Sequence, residues 1–187
     1  MLLLLALAHA SPDVDLIVGA GALYTPAEGS DVPIRGGVHG ALRARAIAAP
    51  GLLRVGGELD ERTTRILASR KTALVGVGSR SEHVGVSLLS GIGLVERGLF
   101  GPWARWDLHV PAELVLDWHG PLHVQLRAKP WLGVAARPHD GRWGPWGAEG
   151  TLAIAPEIRG DLRPRLELGW REEFGQDVFL VVLGAGT

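Results

Sequence analysis

Apolar and polar residues alternate along most of this chain, most clearly in RWDLHVPAELVLDW, residues 105–118. The even positions of this segment are apolar, with Trp106 and Trp118 at its two ends, and most odd positions are charged. A repeat of two residues predicts a β-strand with one apolar face and one charged face. Twelve such residues, tilted by ~45°, rise by roughly 28 Å along a barrel axis.

Nine further segments predict strands of the same kind. They are residues 15–24, 35–47, 52–60, a segment that ends at 79, and residues 82–96, 122–137, 146–158, 162–171 and 177–184. Residues 59–70 fit a short helix as well as a strand, and the segment 177–184 is apolar on both faces. We therefore expect an all-β protein of about ten strands, with eight as the alternative count.

The lengths of the connections, the lengths of the strands and the aromatic residues indicate how these strands are arranged. Long and short connections alternate along the chain, and several strands exceed ten residues, whereas soluble strands average ~5–6. Aromatic residues also mark the strand ends, where amphipathic rings prefer a lipid boundary. The predicted interface aromatics are Tyr24, Trp106, Trp118, Trp146 and Trp170. The pattern predicts a closed antiparallel up-and-down transmembrane β-barrel.

Composition limits the classes that remain. The formal net charge of −1 gives no basic surface for nucleic acid, and the absence of cysteine excludes disulfides and thiolate metal sites. No stretch of ~20 apolar residues predicts a membrane-spanning helix. The apolar start with its Ala8-x-Ala10 pattern predicts a signal peptide over residues 1–10, and residues 11–187 then form one barrel domain.

The hairpin loops predict ion pairs on the charged face, because facing residues of neighbouring strands lie on the same side of the sheet. If the connection 119–121 pairs Trp118 with Leu122, it sets two facing pairs between the sixth and seventh strands, and the connection 159–161 sets a third between the eighth and ninth strands. These lumen pairs are Glu113 with Arg127, Asp117 with His123, and Glu157 with Arg163. Arg43 and Arg45 are expected within a step or two of Glu58 and Asp60. A narrow lumen lined in this way is expected to be filled rather than open.

The same register brings two prolines, Pro111 and Pro130, almost opposite each other in mid-strand. Because proline has no N–H to donate to the ladder, we expect a β-bulge there, which would change the face of Trp131 and the residues after it.

Asp107 and His109 are the strongest candidates for catalysis. Both lie on the charged face near the end with the long connections, and an Asp-x-His pair can position a histidine to activate water. The pair resembles half of the active site of omptins, the ten-stranded outer-membrane proteases, and the resemblance implies a hydrolase at the barrel rim. A lumen salt bridge or hydrogen bond is the simpler interpretation of both residues.

Other motifs point to no chemistry. The outer-membrane lipid A deacylases use His-x-Ser on a strand, whereas here that motif, His9 to Ser11, falls in the predicted signal peptide. His109 and His123 lie too far apart along the strands to share one metal ion, so no metal and no cofactor is expected. The tripeptide 159–161, RGD, is predicted to be a tight turn. The loop 137–146 is the richest candidate surface for a ligand.

At the family level the chain resembles small outer-membrane β-barrel proteins of Gram-negative bacteria. The resemblance implies an outer-membrane location, contact with outer-membrane lipid, and a structural, surface-contact or narrow-conduit role without an assigned reaction. Two alternatives remain: the rim hydrolase, and a soluble exported ligand-binding barrel of the lipocalin type in the periplasm or outside the cell. An oligomeric state is not predicted.

Overall fold

A computed structural model shows ten antiparallel strands in one closed barrel, in which each strand pairs with its sequence neighbours and β1 pairs with β10. The strands are β1 Val14–Thr25, β2 Gly37–Ala48, β3 Leu53–Thr63, β4 Ala68–Arg80, β5 Val84–Arg97, β6 Arg105–Trp118, β7 Leu122–Arg137, β8 Trp146–Pro156, β9 Arg163–Glu173 and β10 Gln176–Gly186. The predicted closed up-and-down barrel is confirmed, with ten strands rather than eight.

The structure describes residues 14–25, 37–63, 68–97, 105–137, 146–156, 163–173 and 176–186. The predicted signal peptide, residues 1–10, and positions 138–145 of the candidate ligand loop lie outside these ranges. The helix considered for residues 59–70 is not formed at either end, since 59–63 belong to β3 and 68–70 to β4. Within the described ranges, no helix is long and apolar enough to cross a membrane.

The apolar faces of the strands point out of the barrel, and where a strand has a charged face, as in β2, β3, β6, β7, β8 and β9, that face points into the lumen. On β6, Leu114 and Leu116 are each 41% exposed on the outer wall, whereas Glu113 between them is 0% exposed. This polarity is opposite to that of a soluble lipocalin-type barrel, whose apolar residues face inward. The lipocalin-like alternative is therefore wrong for the part of the chain that is described.

The register between β6 and β7 differs by two residues from the predicted one. Trp118 lies opposite Val124, not Leu122. The reason is that β7 begins beyond the end of β6, so that Leu122 and His123 pair with Pro156 and Ala155 of β8. A slip of two residues keeps every side chain on its predicted face.

The two prolines are accommodated without reversing the face of Trp131. Pro111 lies opposite Trp131 rather than Pro130. The irregularity in the ladder falls further along, where Leu108 pairs with Ala135 but His109 pairs with Gly133. The bulge expected at the prolines is therefore not found there; the ladder shifts after Trp131 instead, so this ring stays on the lumen side, where it contacts His109.

Candidate functional site

The centre of the lumen is an ion-pair network organised around Arg43, which is 1% exposed. Its guanidinium donates from Nε and Nη2 to the two carboxylate oxygens of Asp60, at 2.8 and 3.0 Å. It also donates to Glu149 at 2.7 Å and to Glu167 at 3.3 Å. One side chain of β2 thereby joins β3, β8 and β9 across the barrel.

A second group of ion pairs extends the network towards β6 and β7. Arg45 donates to Glu58 at 3.0 Å and to Glu113 at 3.1 Å. Lys129 donates to the other oxygen of Glu58 at 2.8 Å. Arg127 lies 3.6 Å from Glu58 and donates to Glu167, so the two groups are continuous. Buried charges of this kind are tolerated only when they are paired and hydrogen-bonded.

The predicted lumen residues that the structure describes lie inside the barrel, and in one case the partner differs from the expected one. Glu113 contacts Arg45 and not Arg127, because the register places Val115 opposite Arg127. The His123 Nε2 atom lies 3.4 Å from Asp117 Oδ1. Glu157 lies outside the described residues, so its predicted pair with Arg163 stays a prediction.

Five members of the network were not singled out from the sequence. They are Lys129, Glu149, Arg165, Glu167 and Arg171. Arg171 donates to Glu149 at 2.9 Å and also contacts Asp60 on a distant strand. Glu149 lies opposite Arg171 in the register between β8 and β9, so this contact joins adjacent strands. The contact of Arg171 with Asp60 crosses the lumen, and no hairpin register predicts it. The position of these five residues on the charged face of long strands was the available signal.

Apolar side chains also line the inner side of β10, the end of β1 near Leu23 and the end of β2 near Ala41. The buried residues of this cluster are Leu23, Ala41, Val178, Leu180 and Val182. This cluster explains why the tenth segment is apolar on both faces: one face points outward and the other fills part of the lumen. The lumen thus contains the ionic network and two apolar clusters, the second formed by Ile47, Leu74, Leu89 and Val115.

Asp107 and His109 lie near the end of the barrel where β6 begins, with His109 4% exposed. The His109 ring packs against Gly93, where an added Cβ would lie 2.1 Å from Nε2. On its other side the ring is 6.0 Å from Trp131, which packs against Gly147 and carries the Arg70 guanidinium 4.4 Å above its ring. The arrangement resembles a packed layer over the ion pairs more than an open reaction site.

Glu58, Asp60 and Glu149 form the best donor set for a metal ion among the described residues. One carboxylate oxygen of each lies within 4.8 Å of the others, and oxygen ligands suit hard divalent cations. Cationic side chains already neutralise these oxygens, with Lys129 on Glu58 and Arg43 on both Asp60 and Glu149. The cluster therefore holds protein cations in the place of a metal.

Two stacked imidazoles lie at the opposite end of the barrel, beside the connection 119–121. The rings of His119 and His123 are 4.5 Å apart between centroids and 19° from parallel. The Arg80 Nη2 atom lies 3.4 Å from His119 Nδ1. Burial, together with the positive charge of Arg80, lowers the pKa of His119 below its usual value of 6.5.

The outer wall carries the predicted interface aromatics and a polar boundary. Tyr24, Trp106, Trp118 and Trp170 are exposed on it, and the side chain of Trp146 lies outside the description. Trp170 donates to Asp177 at 2.8 Å. The exposed ion pair of Lys71 with Glu96 and the hydrogen bond of Ser69 to Glu61 lie at the same end of the barrel.

A shallow apolar groove of about 620 Å³ crosses the outer wall from β6 to β9. Its floor is formed by Ala128 and Gly150, and large side chains border it. These are Leu114, Leu116, Leu126, Leu152, Leu168 and Trp170. The groove belongs to the apolar outer surface and contains no candidate for chemistry.

Comparisons with known proteins add the following. No family model matches the sequence, and no curated protein matches it. Among solved structures, the barrel aligns with a TodX deltaS2S3 mutant, described as a monoaromatic hydrocarbon channel, at 7% sequence identity and a TM-score of 0.37. The alignment covers 96% of this chain and 91% of that chain. At this level of similarity the match carries no argument about function.

Proposed function

We propose that this protein is an outer-membrane β-barrel whose lumen is closed by its own side chains, with a structural or surface-contact role. The single observation that carries the proposal is the polarity of the wall, apolar outside and ionised inside. It supports a barrel surrounded by hydrocarbon, and the filled centre favours a structural role over transport.

The outer surface is unfavourable in water. Leu88, Ile92 and Leu183 are each between 58% and 68% exposed, and they belong to a band of exposed apolar side chains on nine of the ten strands. On β8 the outward Leu152 and Ile154 are half-buried. Monomeric soluble proteins rarely expose continuous apolar patches above a few hundred Å². In a lipid bilayer these side chains contact hydrocarbon instead of water, so the cost of exposing them disappears. The closed sheet also pairs the backbone N–H and C=O groups of each strand, which a membrane-spanning structure requires.

The polar boundary of the band supports one orientation of the barrel. Lys71, Glu96 and Asp177 lie on the outer wall at the end where the long connections begin. In bacterial barrels the long loops face outward and the short turns face the periplasm. We therefore place this end at the cell surface, where the loop 137–146 would contact lipid head groups or a partner.

The conduit role is less well supported. Arg43, Glu113 and Glu167 are each at most 1% exposed and lie within one connected network. A solute would have to displace several charge-assisted hydrogen bonds, which are stronger than neutral ones. We expect the native barrel to be closed to ions.

The test is reconstitution of the purified chain into liposomes and planar bilayers. We expect the protein to resist extraction by alkaline carbonate, to require detergent for release, and to give no steady ion conductance. Release into the aqueous fraction would overturn the membrane location. Stable conductance steps would instead overturn the closed lumen and favour a conduit, and Arg43→Ala serves as the control that opens the centre.

A further inference from the structure

The stacked histidines lie at the short-turn end of the barrel. The backbone N–H of His119 donates to the carbonyl oxygen of His83 at 2.8 Å, which fixes the turn against its neighbour. Its ring stacks on His123, and Arg80 lies 3.4 Å from Nδ1. Arginine only donates hydrogen bonds, so Nδ1 is the acceptor and the proton of neutral His119 is on Nε2.

Four charged or titratable groups on neighbouring strands act electrostatically on this ring. They are Arg80 on β4, Asp117 on β6, His123 on β7 and Arg163 on β9. Only Asp117 favours a protonated His119, whereas the other three oppose it. The neighbourhood is therefore arranged to hold His119 neutral at neutral pH.

A chain of contacts links the stack to the centre of the lumen. Asp117 lies 3.4 Å from His123 and accepts from Gln125 at 2.7 Å. The side-chain Oε1 of Gln125 accepts from Arg165, and Arg165 donates to Glu167 at 3.1 Å. Glu167 is already part of the network around Arg43, so a movement at the mouth can reach the closed centre.

We propose that the His119–His123 stack is a proton-sensitive latch on the short-turn mouth of the barrel. A proton from the solvent binds Nδ1 of His119 and removes the acceptor of the Arg80 hydrogen bond. The new cation then faces Arg80 and Arg163, so the ring leaves the stack. His123 and Asp117 lose their cover, and water enters the adjacent lumen. The latch goes beyond the proposed function and requires only the folded barrel.

The chain contains no cysteine, which permits a direct test by single-cysteine labelling in detergent micelles. Val115→Cys places a thiol on the lumen side, two residues from Asp117, at a position that is 4% exposed. Glu82→Cys in the exposed turn 81–83 is the reference, because the ratio of the two labelling rates cancels the effect of pH on thiol reactivity. We expect this ratio to rise about tenfold between about pH 8 and about pH 5.

His119→Gln in the Val115→Cys background removes the titrating ring, so the ratio should stay low at both pH values. The matched control His83→Gln, which leaves the backbone contact of residue 83 in place, should keep the full rise. A ratio that does not change in the native background, or that rises equally in His119→Gln, overturns the latch.

A second measurement needs no substitution near the stack. In the unmodified protein, the NMR chemical shifts of the His119 ring report its protonation. The protection factors of the amides in residues 117–125 against hydrogen exchange should fall over the same pH interval. Exchange that is independent of the titration overturns the proposal. Because both measurements are made in micelles, a failure here is distinct from a failure of the membrane location.

Discussion

Arg43 on β2 donates two parallel hydrogen bonds to Asp60 on the adjacent strand β3, from Nε to Oδ1 at 2.8 Å and from Nη2 to Oδ2 at 3.0 Å. A bidentate pair fixes both side chains in one plane. The remaining donors of the guanidinium are then directed across the lumen, where they reach Glu149 and Glu167. A single pair between two strands thereby sets the position of the charges on two others.

Removal of this guanidinium should be costly. Arg43→Met leaves the carboxylates of Asp60, Glu58 and Glu149 close together in a dry centre, and loss of one partner of a buried ion pair costs about 3–5 kcal/mol. The measurement is the free energy of unfolding in urea of the refolded barrel. Lys71→Met, in the exposed pair with Glu96, is the control and should leave stability unchanged. Equal effects of the two substitutions would contradict a central role for Arg43.

The sequence was sufficient to predict the barrel because its alternation has one consistent period. Residues 105–118 and 122–137 coincide with β6 and β7, and the other strands differ from their predicted bounds by a few residues. The sequence also predicts on which face of the sheet each side chain lies, because a register error of two residues leaves that face unchanged. Glu113 inside and Leu114 outside follow from that period alone.

The sequence did not predict which charged side chains pair with one another across the lumen. Arg43 and Asp60 are on adjacent strands, and their proximity was expected from the hairpin. Arg43 and Glu149 are 106 positions apart, and their contact depends on the diameter of the closed barrel and on the lengths of the side chains. The local pattern of a strand contains neither quantity, so the network could be anticipated as charged but not as connected.

The contact between Trp131 and Gly147 gives a test of packing in the lumen near the long connections. A Cβ at Gly147 would lie 2.5 Å from the indole ring, whereas a Cβ at Gly150 on the same strand meets nothing within 4 Å. Gly147→Ala should cost about 1–3 kcal/mol, because overpacking forces the ring away from its position. Unfolding in urea and the fluorescence of the barrel measure the effect. Gly150→Ala is the matched control and should be neutral.

The membrane location predicts a dependence on depth along one outer face. Ile92 and Val84 are both exposed on the outer wall of β5. Val84 is the first residue of the strand, whereas Ile92 lies well inside it. In a bilayer, Ile92→Arg should destabilise the barrel by about 2–4 kcal/mol and Val84→Arg by less than about 1 kcal/mol. Unfolding from liposomes measures both. If neither arginine has an effect there, the outer wall does not face hydrocarbon.

The rim-hydrolase alternative is tested at Asp107 and His109. Because the His109 ring is wedged between Gly93 and Trp131 and is 4% exposed, we expect no hydrolysis of peptide or lipid substrates that depends on it. Asp107→Ala and His109→Ala should therefore match the native protein in both assays. Hydrolysis by the native protein that both substitutions abolish would instead establish the enzyme.

The lowered pKa of His119 makes the stability of the barrel dependent on pH. Burial and the charge of Arg80 favour the neutral ring in the folded protein, so folding must release a proton wherever the unfolded chain binds one. The contribution of the neutral ring is complete above its unfolded pKa of about 6.5 and is lost as the pH falls through the lower folded value. The urea midpoint of the native barrel should therefore fall as the pH is lowered from about 7 to about 5. His119→Gln should show a smaller fall, whereas His83→Gln should show the native one. A fall of the same size in all three proteins would mean that other groups set the acid sensitivity.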